Sequence, residues 1–342
     1  MLRIPSPHPS LWIVDPEFDE GLPGETGFNE QVLRADPNKT YSDAAWGARY
    51  RFRTRKGYVN AQYRDVGEDF RGDLGYMPRV DYRVGSLSAG LDHYMPKDDQ
   101  TTSRIRFSVN RSLTESQDGV QLNDSTEFWA HYWGGMQSWL RIGYRNRDRV
   151  AKRFDQDTLE VAGNAPVFNE EQYMFRIEST LVRNGRLTLA GRFGDQIDTD
   201  NYRVGDLIEL EPGLRWSPTP NTEIALNDVY RRLKADGDEV FEENYITLNL
   251  TYQMNRSSFL RLTMIDDVEY RNQENYIYEE VDAIDRKFSS ELLYAWKPSK
   301  LNTFFIGVKV DGEKGDNVER LTADETLFYV KYSRSLRPGQ DN

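Results

Sequence analysis

The chain of 342 residues has no cysteine, which excludes disulfide scaffolds, thiol nucleophiles and cysteine-based zinc sites. Histidine is nearly as scarce: His8, His93 and His131 are the whole supply of imidazole bases. No apolar run approaches the ~20 residues that a membrane helix needs. There is no glycine-rich tract leading into Lys and Ser or Thr, no HExxH and no zinc-ligand set, so phosphate-loop and metalloprotease chemistry have no carrier. Positive charge is outnumbered, 44 Lys and Arg against 56 Asp and Glu. A net charge of −12 argues against a nucleic-acid partner, whose phosphates must be met by a basic surface. The start, MLRIPSPHPSLWIVDPEFDE, lacks a basic segment running into an apolar one and is not a secretory signal. Apolar residues make up only 38%, low for a soluble core of this length.

What the chain does have is aromatic residues, 20 Tyr, 16 Phe and 7 Trp, and a strict two-residue alternation. Trp46, Ala48, Tyr50 and Phe52 share one face of an extended segment, and Gly47, Arg49, Arg51 and Arg53 share the other. Ile105, Phe107 and Val109 oppose Arg104, Arg106 and Ser108. Leu140, Ile142 and Tyr144 oppose Trp139, Arg141, Gly143 and Arg145. Ile208, Leu210, Leu214 and Trp216 oppose Glu209, Glu211, Gly213 and Arg215. The pattern returns in Ile246, Leu248, Leu250 and Tyr252, and in Phe304, Ile306, Val308 and Val310. One face suits lipid and the other water, which is the sequence signature of a transmembrane β-barrel. The aromatics suit girdles at the two membrane interfaces. Arg49, Arg51, Arg104, Arg106, Arg141 and Arg215 are therefore expected on a lumen wall. A wall carrying both charges either pairs them into a closed interior or supports a polar channel, and composition leaves both open.

Connections alternate in length. Short ones are expected at residues 54–57, 95–103, 134–137, 182–185, 217–221, 254–257 and 297–300. Long ones are expected at 65–83, 111–126, 146–172, 194–206, 231–243, 266–286 and 311–325. Bacterial barrels place the short turns in the periplasm, so the first strand at Trp46 and the last at 327–334 both run inward. An even set then needs one more strand, for which residues 10–14 and 28–33 are weak candidates. The expectation is an all-β, antiparallel up-and-down transmembrane barrel of about sixteen strands, or the C-terminal part of a larger one. Residues 1–45 form an irregular lead-in, 46–337 the barrel and 338–342 a polar tail. The expected location is the bacterial outer membrane with the C-terminus periplasmic. The export signal missing from this chain suggests part of a longer precursor or a lost leader.

The long connection after the second strand is unusual. DVGEDFRGDLGYMPRVDYR holds Phe70, Gly72, Asp73, Leu74, Gly75, Tyr76, Pro78, Arg79 and Asp81 in a segment too glycine-rich for a plain strand. Its F-x-x-D-L-G-[FY]-x-x-R-x-D-[YF] form follows Tyr63, Arg64 and Asp65, and closely resembles a segment in the barrel domain of the family called domain of unknown function 5916. The closing TLFYVKYSRSLR is similar to that family's C-terminus. The resemblance, over most of residues 40–337, implies a bacterial outer-membrane barrel that follows an export signal and a carbohydrate-binding family-9-like domain. Members are often labelled hydrolases by association with that domain. The tract reads either as a loop folded into the lumen or as an irregular turn that sets strand register. For the first reading, Arg49, Arg51, Arg104 and Arg106 are the candidate partners of Asp81.

Catalytic candidates are few. His131 sits between Trp129 and Trp133 on one face, and His93 beside Asp92, with no spacing that supplies a nucleophile or an orienting carboxylate. Asp195, Asp198, Asp200 and Asn201 share calcium-ligand composition but miss the EF-hand spacing. The acids at 236–243 and 279–285 are expected to be solvated. No catalytic, cofactor-binding or metal residue is assigned. The expected role is a non-enzymatic pore, or a membrane anchor and translocation unit for an N-terminal glycan-binding domain. The expected partners are outer-membrane lipid and a glycan or small polar solute. One alternative is a barrel-embedded hydrolase, which needs His93 or His131 to meet a carboxylate and a hydroxyl in one cleft. The other is a soluble β-rich carbohydrate-binding protein, which predicts a fixed-period repeat, and the sequence shows none.

Overall fold

A computed structural model describes residues 4–5, 40–41, 43–68, 70, 80–96, 102–135, 137–150, 166–180, 183–276, 280–299, 301–315 and 322–335. Apart from a two-residue pair, β1 (Ile4–Pro5) with β2 (Thr40–Tyr41), the described strands form one sheet. Its members are β3 (Ala45–Thr54), β4 (Gly57–Val66), β5 (Tyr82–Pro96), β6 (Thr102–Glu115), β7 (Gln121–Trp133), β8 (Trp139–Val150), β9 (Val167–Ser179) and β10 (Gly185–Asp198). They continue with β11 (Arg203–Thr219), β12 (Thr222–Ala235), β13 (Asp238–Asn255), β14 (Ser258–Arg271), β15 (Ile284–Trp296), β16 (Asn302–Lys314) and β17 (Thr322–Arg334). Every strand bonds only to its sequence neighbours, so the sheet is an up-and-down meander of fifteen strands. The expected sixteenth strand is not part of it among the described residues, and both of its candidate segments lie outside them.

By contacts the chain divides into two units: residues 1–132, 141–174 and 194–205 in the first, and 133–140, 175–193 and 206–342 in the second. In the second unit the register aligns the apolar face into rows that cross several strands. Ile224, Leu250, Leu262, Leu292, Val308 and Phe328 are successive partners from β12 to β17. Leu226, Leu248 and Met264 form the next row. At the short-turn end Trp296, Phe304 and Tyr332 stack with centroids 5.5 and 4.7 Å apart. Along β14 and β15 this face carries an ion pair toward the long-loop side, where the Asp266 carboxylate takes two 2.8 Å hydrogen bonds from Arg286. In the first unit the same face carries Trp46, Tyr50, Phe52, Leu87, Leu91, Phe107 and Phe128.

This face is not a core. Phe328 is 77% exposed, Val330 75%, Leu91 72% and Phe107 61%. A cluster of buried apolar side chains, Leu207, Leu233, Ala235 and Val240 with Phe241 and Tyr276 against it, sits at the long-loop end of the second unit.

Several connections expected to be long are short. β12 and β13 meet across Asp236 and Gly237 alone, with φ of 56° and 93°, the two left-handed residues that a type I′ hairpin requires. The expected loops at 111–126 and 194–206 shrink to residues 116–120 and 199–202. The strands run on past the alternating band, where polar residues fall on both faces and the two-residue pattern that marks a strand in sequence disappears. In this extension the supposed loop acids Glu242 and Glu243 are ladder residues opposite Arg232 and Arg231.

Candidate functional site

On β3 to β8 of the first unit, alternation places Arg49, Arg51 and Arg53 on the polar face opposite Gln62, Asn60 and Tyr58. The Arg49 Nη2 donates to Gln62 Oε1 at 3.0 Å. Tyr58 faces Gly90 across β4 and β5, and a Cβ on Gly90 would come within 2.5 Å of the Tyr58 ring. Glycine there lets the phenol lie flat on the sheet, as aromatics do over strand glycines. The Arg106 guanidinium rests 5.0 Å from the centre of that ring. Asp92 holds Arg106 with two hydrogen bonds of 2.9 and 2.8 Å, and the Arg104 Nε lies 3.7 Å from the same carboxylate. In the turn below, Arg55 lies over Tyr94 at 5.6 Å.

β7 and β8 repeat the arrangement. A Cβ on Gly143 would meet Trp129 at 2.4 Å, so the indole lies across the glycine, with Arg141 4.2 Å above the ring. Glu127 accepts from Trp129 Nε1 at 2.9 Å and faces Arg145 Nε at 3.2 Å. Asn110 Nδ2 donates to Glu127 at 3.4 Å, and Ser88 Oγ donates to Asn110 Oδ1 at 2.7 Å, so one polar network runs across four strands. His131 is 6.1 Å from Trp129, ring to ring, among the charges of Arg104, Arg106 and Arg141. The result is an aromatic floor beneath guanidinium groups. Between residue 49 and residue 145 the described polar face of β3 to β8 carries Arg49, Arg51, Arg53, Arg64, Arg104, Arg106, Arg141 and Arg145 against Asp92 and Glu127.

The second unit differs. Many of its polar-face charges stand in couples: Arg186 with Glu178 at 2.8 Å, Arg192 with Glu209 at 2.8 Å, Arg231 with Glu243 at 2.7 Å, Arg271 with Glu269, and Lys309 with Asp311 at 2.7 Å. Arg215, expected on a lumen wall, lies on the polar face of β11, and its 4.0 Å contact to Glu223 is between two largely exposed side chains. Among the described residues, ion pairs thus predominate on the polar face of one unit and an arginine excess on that of the other.

Of the glycine-rich tract, Gly72, Asp73, Leu74, Gly75, Tyr76, Pro78 and Arg79 lie outside the described residues. The Phe70 amide donates to the Gly67 carbonyl at 3.2 Å. Asp81 is buried, has φ 57° and accepts from the Gln117 amide at 3.0 Å. Arg104 and Arg106 belong to Asp92, eleven residues along and so ~37 Å away on an extended strand, and Arg49 is engaged with Gln62. The base of the tract is clamped instead by Gln117, from the connection between β6 and β7. Its Nε2 donates to Asp65 Oδ1 at 2.7 Å and to the Val66 carbonyl at 3.0 Å, while its Oε1 accepts from Arg83 at 2.9 and 3.1 Å. No sequence signal singles out Gln117.

A second site invisible in sequence is Glu170, fully buried at the long-loop end of β9. It takes Arg149 at 2.7 and 3.1 Å, Arg147 at 2.9 Å and the Ile197 amide at 2.9 Å. Its neighbours Asn169 and Glu171 are exposed and polar, so this stretch lies beyond the apolar band, which begins at Tyr173. Burial pushes the Glu170 pKa up, but the two guanidinium groups and the amide together hold it below the usual carboxylate value. Burial brings Arg147 down to about 10, still cationic at neutral pH.

His93, exposed on the apolar face beside Leu91, and His131, on the polar face, lie on opposite sides of the sheet and share no cleft. The calcium-like run is internally bonded: Asp198 accepts from Asn201 at 2.8 and 3.0 Å and from Arg203 at 3.0 Å. No group of acids and histidines placed to hold a metal occurs among the described residues.

No protein-family model matches the sequence, and no curated protein does. Among solved structures the chain is similar to a mutant ferric enterobactin receptor from Pseudomonas aeruginosa, at 10% identity and a TM-score of 0.41. The match covers 79% of this chain and 50% of that one, so the chain spans half the receptor's length.

Proposed function

We propose that this chain is the wall of a bacterial outer-membrane β-barrel whose apolar face meets lipid and whose polar face lines a water-filled lumen, and that it works as a pore for a polar solute. The observation that carries the reading is the exposed apolar band. From Ile246 to Met254 on β13 it covers eight residue steps, ~27 Å along the strand, or ~21 Å across a membrane at a 40° tilt, close to the ~25 Å band of outer-membrane barrels. Stacked aromatics mark the band at one end, and the Arg286–Asp266 ion pair lies toward the other. In water, leaving so many large apolar side chains uncovered would forfeit about 1.5–3 kcal/mol each, whereas lipid covers them. By the loop-length rule the short turns are periplasmic, as is the C-terminus, where the Ser335 amide bonds to Leu301 of a short turn.

Fifteen strands leave β3 and β17 running in the same direction, so an antiparallel closure between them needs a further strand. The resemblance to domain of unknown function 5916 adds a second role, anchoring or exporting a glycan-binding domain. Refolding into lipid vesicles tests the core of the reading. The expected product is resistant to protease along its strands and shows heat-modifiable electrophoretic mobility. A detergent-free soluble monomer, or strands digested in vesicles, would refute it. A folded protein without conductance in planar bilayers would leave the anchor and remove the pore.

A further inference from the structure

The arginine excess on the first unit needs a reason. The chain as a whole is acidic, with a net charge of −12, yet one polar face concentrates cations. Arg49, Arg51 and Arg53 follow one another on the same side of β3, ~7 Å apart, and Arg104 and Arg106 do so on β6 around the single carboxylate of Asp92. Like charges at such spacing repel, and a face that only had to be wet would be served by the Ser86, Ser88, Ser108 and Ser112 of the same strands. The guanidinium groups are also set in place. Arg106 lies on Tyr58 and Arg141 on Trp129, each ring laid flat over a glycine. Rings and forks held in this way lose little freedom when a ligand arrives. The planar guanidinium matches the oxygen pairs of carboxylate, sulfate and phosphate.

We propose that the polar face of β3 to β8 binds an oligo-anion, a solute with oxyanion groups repeating every ~5–7 Å, the spacing of alternate residues along a strand and of neighbours across it. The proposal rests on the lumen reading only for access to this face. Arg53, Arg104, Arg106 and Arg141 would grip the anionic groups, and Arg49 and Arg51 would extend the track. Asp92 keeps Arg104 and Arg106 together, and Glu127 orients Arg145 and Trp129. Two sources share this chemistry, an acidic oligosaccharide with carboxylates on successive sugars and a linear polyphosphate.

The test uses the refolded full chain. Calorimetric titration with trigalacturonate, tripolyphosphate and neutral maltotriose reads binding whether or not the protein conducts, and reversal potentials under a KCl gradient read selectivity if it does. The expected result is binding of at least one oligo-anion, none of maltotriose, and an anion-selective current. The better of the two anions identifies the source. Replacing Arg51, Arg53 and Arg104 with Gln should weaken oligo-anion binding roughly tenfold or more, the loss of charge-assisted hydrogen bonds, and move the reversal potential toward cations. Arg51→Gln alone alters an exposed side chain and supplies the same reading, smaller, if the triple variant does not fold. Binding without conductance would remove the pore and keep the anion site. Conductance without oligo-anion binding, equal binding of maltotriose, or variants that bind as the parent does would overturn the anion site and leave the pore.

Discussion

Replacing Leu250 with arginine puts a guanidinium at the centre of the apolar band. Leu250 is four residues from Ile246 and four from Met254, with Ile224 and Leu262 as its cross-strand partners. At ~3.4 Å per residue and a 40° tilt it lies ~10 Å from either edge, too deep for the side chain to reach water at full strength. An arginine at the midplane of an outer-membrane barrel costs about 2–4 kcal/mol, falling to about 0–1 kcal/mol near the interfaces. Ile246, in the row that holds Asp228 and Asp266, is at the edge, and an arginine there has two carboxylates as cross-strand neighbours. Thr247 points to the opposite face and loses only a 3.5 Å contact from Asn227. Leu250→Arg should therefore cost about 2–4 kcal/mol, and Ile246→Arg and Thr247→Arg about 1 kcal/mol or less. Reversible denaturant unfolding from lipid bilayers reads the three. Equal costs at 247 and 250 would show that the faces are not lipid and water. Equal costs at 246 and 250 would show that the band has no depth and is not a membrane span.

Cysteines at Asp238 and Asn255 are exposed at opposite ends of β13, in a chain with no native thiol. An impermeant maleimide should label the first on intact cells and the second only after the outer membrane is opened, and the reverse would invert the topology. Glu170→Gln leaves Arg147 and Arg149 without their carboxylate and should cost about 3–5 kcal/mol, read as faster hydrogen exchange at the Ile197 amide. Because the folded Glu170 pKa is lowered, its contribution is complete above the unfolded carboxylate pKa and is lost as pH falls through the folded value. Protection of Ile197 that is unchanged below that range would contradict this. Gly143→Val must displace Trp129 from its place and should cost about 1–3 kcal/mol, with a red shift in tryptophan emission; an unaltered spectrum would mean the indole does not lie over residue 143.

Alternation was enough to assign the faces. Phe107 against Arg106, or Leu248 against Thr247, is decided by residues two apart on one strand, and any strand built from them turns the apolar set to one side. Where strands end was less legible, because Glu242 and Glu243 belong to a stretch with polar residues on both faces and carry no alternation to mark it. Charge pairing lay beyond the sequence altogether. That Asp92 meets Arg106, that Glu127 meets Arg145 and Glu170 meets Arg149, and that arginines accumulate on one unit while couples fill the other, all follow from register between strands. Register is set by where each turn falls, so a residue's face is a local property of the chain, whereas its partner is a property of the assembled sheet.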